Sequence, residues 1–218
     1  MTKDGRPSAL NDIRIFVENR NSYLKGQEEA VAYGRRLTWL LNGEGFSVGA
    51  FPALYVLFTS SLSRGMIEMA EEGAEWWYRY VRIGVEPDFL SASDVTETAM
   101  HGIANALVTI RPEEKDAINR ADKIVREHKE RLRFLIKRQE TKKHTLEFSS
   151  NIAVWPARSQ FFAAKIDKES GGYTEAEPIA LPFYDAAFRV SRELKLKDLG
   201  EFTERPRPPA ISDKILQR

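Results

Sequence analysis

The chain has 218 residues, 42% hydrophobic and 30% charged, with 33 basic against 32 acidic side chains and no cysteine. That is too apolar for a disordered chain and long enough to bury a sizeable core, while a net charge of +1 gives no bulk attraction to nucleic acid. The lack of cysteine excludes disulfide scaffolds, thiolate zinc sites, iron–sulfur clusters and cysteine nucleophiles.

Residues 1–11 are polar, hold Gly5 and Pro7, and read as a flexible N-terminal arm. The opening Met-Thr-Lys-Asp-Gly-Arg-Pro has no apolar stretch behind it, so no signal peptide is expected and the cytoplasm is the default location. The run Ile13–Val17 fits a helix or a short strand equally. Ala30, Tyr33, Leu37 and Leu40/Leu41 recur at helical spacing, and Asn42-Gly43 is a stop signal. The glycine-rich 43–49 stretch reads as a turn between helices. Glu44 and the spacing of its glycines argue against a phosphate cradle.

From Gly45 to Ser63 there are 19 residues without a charge, but glycines, serines and Pro52 interrupt them, so a core helix is expected rather than a membrane span. That helix would run from Pro52 through Leu54, Leu57/Phe58, Leu62, Met66, Met69, Trp77 and Val81. Asp94 and Glu97 resemble a capping box ahead of Val95, Ala99, Ile103 and Leu107. Pro112-Glu113-Glu114 opens a helix whose stripe continues through Ile118, Ala121, Val125, His128, Leu132 and Leu135/Ile136. Leu146 and Phe148 suit an extended piece, Pro156 interrupts an aromatic stretch, and Ser170-Gly171-Gly172 is a loop. A last helix starts near Pro182, carrying Phe183, Ala187, Val190 and Leu194. Residues 200–218, with Pro206, Pro208 and Pro209, read as an extended C-terminal arm. The expectation is an all-α fold, an irregular helical bundle of about six to seven helices over 12–199 with an arm at each end.

Chemistry-bearing patterns are sparse. Glu97 and His101 share a helix face at four-residue spacing but lack the other ligands of a metal site, and no nucleophile elbow is present. Glu68, Glu71, Glu72 and Glu75 read more simply as a solvated acidic face than as a cation site. No cofactor and no catalytic residue is expected.

Charge segregation is the stronger signal. Between Glu68 and Glu97 eight carboxylates face two arginines, a balance of −6, and between Lys129 and His144 seven basic residues face two glutamates, a balance of +5. The leading expectation is a non-catalytic, self-associating cytoplasmic protein that binds nucleic acid through a basic helix face. That face would carry Lys129, Arg131, Arg133, Lys137, Arg138, Lys142 and Lys143, and the terminal arms would join copies into a homo-oligomer. The alternative is a protein-binding module that meets a basic partner protein through Glu68, Glu71, Glu72, Glu75 and Trp76. Neither reading involves a membrane.

Overall fold

The computed structural model describes residues 7–70, 75–194, 198–212 and 214–217. The chain divides into two compact units, Met1–Glu127 with Gln217–Arg218, and His128–Leu216. The expected all-α helical bundle is overturned: among the described residues, four α-helices stand beside strands that form two sheets.

The first unit is built on strands β1 (Asp12–Val17), β2 (Asn19–Tyr23), β3 (Ala53–Thr59), β4 (Ile67–Ala70) and β5 (Tyr78–Gly84), in the spatial order β2-β1-β3-β5-β4. The three central strands are parallel, and the two edge strands run against them. Helix α1 (Glu28–Gly43) lies between β2 and β3, and α2 (Val95–Ile110) and α3 (Lys115–His128) follow β5.

The segment expected to be one long helix from Pro52 to Val81 is instead β3, a turn, β4 and β5. All seven residues of β3 are buried, as expected of a central strand covered on both faces. Such an unbroken apolar run satisfies a helical template as readily as a strand template, so spacing alone does not separate the two. Among the described residues no helix is long and apolar enough to cross a membrane.

Helices α1 and α2 pack on each other, α1 against β1 and α2 against β3 and β5. Gly34 of α1 lies over Ile13 and Ile15, and Gly102 of α2 lies over Phe58 and Ile83, so these strand residues form the helix-facing side of the core. On the opposite side Phe16, Ala53, Tyr55, Leu57, Tyr78 and Tyr80 form a second buried cluster, with Ala70 and Trp77 packed against it. Tyr55 and Tyr78 stack with ring centroids 3.9 Å apart, and Trp77 meets both edge-on. Trp76 is left 82% exposed.

Buried polar groups tie the elements together. The Asn42 amide donates to the Leu10 carbonyl (2.9 Å) and to the Gln217 carbonyl (3.1 Å), and its Oδ1 accepts from the Gln217 backbone N–H (2.7 Å). Leu10 is fully buried and Ala9 bridges to Ser47, so residues at both ends of the sequence are fixed to this unit. The stretch 43–49 links a helix to a strand, not two helices.

Tyr33 of α1 donates its hydroxyl to Asp122 of α3, and Arg126 bridges Asp122 (2.7 Å) to Glu97 of α2 (2.7 Å). Burial, reinforced by Asp122, pushes the Tyr33 phenol above the ordinary tyrosine range. A phenol whose folded pKa is raised favours the folded state fully below its unfolded value, about 10, and that contribution is lost as pH rises beyond it. The unfolding midpoint should therefore drop between about pH 10 and pH 11, and Tyr33→Phe should flatten that drop. An unchanged alkaline profile in the variant would contradict this role.

The second unit is an antiparallel sheet of β6 (Arg133–Glu140), β7 (His144–Asn151), β8 (Gln160–Asp167), β9 (Tyr173–Glu175) and β11 (Thr203–Glu204), ordered β11-β9-β8-β7-β6, with the short β10 (Ile179–Ala180) paired to β8. Helix α4 (Ala186–Glu193) packs on β6, β7 and β8. The helix expected to continue to Ile136 stops at His128, where Lys129 takes the left-handed backbone (φ 47°) in place of a glycine. Phe134, Leu135 and Ile136 then become buried strand residues.

Residues 203–204 pair with β9 on one side of this sheet. Residues 210–216 hydrogen-bond to Arg133 and Leu135 of β6 on the other. The proline-bearing link 205–209 spans the width between them, and the Arg207 guanidinium lies 3.8 Å from Glu147 on β7.

Candidate functional site

Three parallel strands ending at one edge of a sheet leave a crevice beyond their carboxyl ends, where side chains from several loops converge. In the first unit this crevice is a cleft of about 450 Å³. Its floor is Phe58 near the end of β3, Ile83 and Gly84 at the end of β5, and Phe89. The Phe58 and Phe89 rings stack at 5.3 Å.

Two glycines make this floor possible. A Cβ on Gly84 would lie 1.9 Å from the Ser63 carbonyl oxygen, because the 63–66 turn crosses directly over the strand end. Gly65 donates to the Gly84 carbonyl (2.9 Å), and Gly84 donates to the Met66 carbonyl (2.8 Å), pinning the turn there. A Cβ on Gly102 would lie 2.7 Å from the Phe58 ring, so α2 approaches the floor as closely as a backbone can.

The walls come from three segments. Arg64 belongs to the pinned turn; Glu86 and Asp88 belong to the stretch after β5; Asp94, Thr98, His101 and Asn105 come from α2 and the residue before it. Positions 94, 98, 101 and 105 are spaced four, three and four apart, so they share one helical face. Asp94 sits at the N-cap of α2 but makes no side-chain cap hydrogen bond, so no capping box forms. Its Oδ2 instead accepts a hydrogen bond from the Thr98 hydroxyl at 3.2 Å. The cleft thus combines an apolar floor with a polar rim, in the size range of small-molecule sites.

His101 lines this cleft, but its sequence neighbour Glu97 does not: that carboxylate is held by Arg126. The acidic stretch separates. Glu68 pairs with Arg82 across β4 and β5 (3.4 Å), and Glu75 and Trp76 are exposed ahead of β5. Glu71 and Glu72 lie outside the described residues. Three exposed carboxylates of the same stretch, Glu86, Asp88 and Asp94, are among the residues that line the cleft.

The basic run does not form one helix face, since Lys129 and Arg131 lie in a helical turn and the rest lie on β6 or the hairpin after it. A register shift between Leu135 and Lys137 changes the side on which the later side chains fall. Arg133 pairs with Glu175, its guanidinium 3.5 Å above the Phe162 ring. Arg138 pairs with Glu147 at 2.7 Å. Lys137 donates to the Ser191 carbonyl of α4 at 3.4 Å. Lys142 and Lys143 sit exposed in the β6–β7 turn.

Among the described residues no group of three or more histidine, aspartate or glutamate side chains is placed to hold a metal ion. No family model, curated protein or solved structure matches this chain, and the chemistry of the cleft rests on its own residues.

Proposed function

We propose that the first unit is a receptor for a small organic molecule bound in the cleft at the carboxyl ends of β3 and β5. One observation carries the reading: a cleft of about 450 Å³ lies at the ends of β3 and β5, above the buried Phe58 and Phe89, and polar side chains from three separate segments line it.

Nucleic-acid binding through Lys129–Lys143 is the weaker reading. Arg133, Lys137 and Arg138 spend their donors inside the second unit, which leaves fewer cations to neutralise phosphates.

The test is a fragment screen by thermal shift. A ligand present at a hundred times its Kd stabilises by about 2.7 kcal/mol, which is readily seen. Asn105 is exposed on the cleft-facing stripe of α2, so Asn105→Trp should fill the cleft without entering the core. Fragments that stabilise the parent should lose that effect in Asn105→Trp while its far-UV circular dichroism stays unchanged. Equal stabilisation of both proteins, or no stabilising fragment at all, would contradict the proposal.

A further inference from the structure

The two faces of the second sheet are covered differently. Lys137 and Phe148 are directly opposed on the face under α4, where Lys137 donates to the Ser191 carbonyl. The other face carries a row of opposed residues: Arg138 on β6, Glu147 on β7, Ala164 on β8 and Glu175 on β9. The link 205–209 crosses on this side, with Arg207 facing Glu147 (3.8 Å) and Arg205 paired to Glu177 (2.7 Å).

The link has the build of a bound peptide. In Arg205-Pro206-Arg207-Pro208-Pro209 three prolines set an extended backbone in advance. Arg205 and Pro208 are half-buried, while Pro206, Arg207 and Pro209 are exposed. Burial three residues apart is the pattern of a polyproline II segment lying on a surface, since that helix has three residues per turn.

One of its anchors is incomplete. Glu147 is only 4% exposed. Its Oε1 accepts two hydrogen bonds from Arg138 (3.1 and 2.7 Å), whereas its buried Oε2 accepts none. A carboxylate oxygen withdrawn from water without a donor is costly, so a guanidinium that came closer than Arg207 would be rewarded. The resident link is tethered on both sides, by residues 203–204 to β9 and by residues 210–216 to β6. A segment arriving from outside carries no such tethers.

We propose that this face of the second sheet is a docking site for an extended segment of a partner protein that carries arginine and proline. Residues 205–209 are the resident stand-in that such a segment displaces. The partner's first arginine takes Glu177, and its second donates directly to Glu147 Oε2. Its prolines lower the entropy lost on binding, because the extended form exists beforehand.

The probe is a fluorescein-labelled hexapeptide, Arg-Pro-Arg-Pro-Pro-Ala, titrated with the full chain and followed by anisotropy. Saturable binding is expected, held down by the tethered link, which competes at an effective concentration of about a millimolar. Arg207→Ala removes the competitor's head from an exposed position and should tighten the peptide about three- to fivefold. Replacing the second arginine of the peptide with alanine should weaken it about tenfold, as the loss of a charged hydrogen bond does. The same replacement thus acts in opposite directions in protein and peptide, which a damaged fold does not imitate. Glu177→Gln, at an exposed position, should weaken the peptide about twofold. A peptide with glycine in place of each proline keeps the charge, lacks the preset backbone and should bind less tightly.

A peptide that saturates neither protein overturns the proposal, and so does equal binding to the parent and to Arg207→Ala. A glycine peptide that binds as tightly as the proline peptide also overturns it, because charge alone would then account for the binding.

Discussion

Gly84→Ala is expected to destabilise the first unit by about 3 kcal/mol, combining overpacking with the loss of backbone hydrogen bonds. The added methyl carbon would sit 1.9 Å from the Ser63 carbonyl oxygen and 2.7 Å from its carbon, and both are backbone atoms that no rotamer change can move aside. Relief requires the turn to lift away from β5. That breaks the bonds from Gly65 to the Gly84 carbonyl and from Gly84 to the Met66 carbonyl. The same turn carries Arg64 and forms one wall of the cleft, so ligand affinity should fall together with stability. Urea unfolding of the variant measures the first effect and calorimetry the second. A change within about 0.5 kcal/mol, the range of an ordinary surface substitution, would mean that the turn does not rest on Gly84.

The second large effect lies in the other unit. Glu175 is 2% exposed, and its carboxylate accepts from both Arg133 and the Tyr173 hydroxyl (2.8 Å). Burial, with Glu175 adding to it, pushes the Tyr173 phenol above the ordinary tyrosine range. Glu175→Ala strands the Arg133 guanidinium over the Phe162 ring with no counter-charge. The expected cost is about 3–5 kcal/mol, as for one half of a buried ion pair removed. Removing both charges together is a different matter. Arg133→Met with Glu175→Leu should cost much less than the two single changes added, because neither charge is then left unpaired. A double-mutant cycle followed by denaturant unfolding makes the comparison, and strict additivity would contradict the coupling.

Parts of this architecture are legible in the sequence. Helix α1 follows from the three- and four-residue spacing of Ala30, Tyr33, Leu37 and Leu41 and ends at the expected Asn42-Gly43 signal. Helix α2 and the turn at 170–172 are legible in the same way. The strands are hidden for two different physical reasons. In β3 every position is buried, so the sequence has no alternation to betray a strand. Leu132 just ahead of β6, and Leu135 and Ile136 within it, continue the α3 stripe in phase, and the left-handed backbone of Lys129 breaks it. Lysine rarely takes that conformation and gives no stop signal from sequence alone.

The site is half visible in the sequence. His101 stands out as one of three histidines, and the excess of acid between Glu68 and Glu97 contains Glu86, Asp88 and Asp94. The polar stripe at 94, 98, 101 and 105 is also there to read, on a different helical face from the apolar stripe. Glu97 stands out because it lies four residues from His101, yet its partner Arg126 comes from another helix. The floor is not legible at all. It depends on how closely the 63–66 turn approaches Gly84 and α2 approaches Phe58, and those approaches exist only in the folded chain.

Binding in the cleft is tested most directly by a ¹H–¹⁵N titration of the full chain with any stabilising fragment, following the amide resonances of Gly65, Gly84 and Gly102. These three glycines line the turn, the floor and the helix wall of the cleft. All three are expected to shift together and to saturate at one affinity. Saturable shifts confined to other residues, with these glycines unmoved, would place binding elsewhere and contradict a receptor site at the ends of β3 and β5.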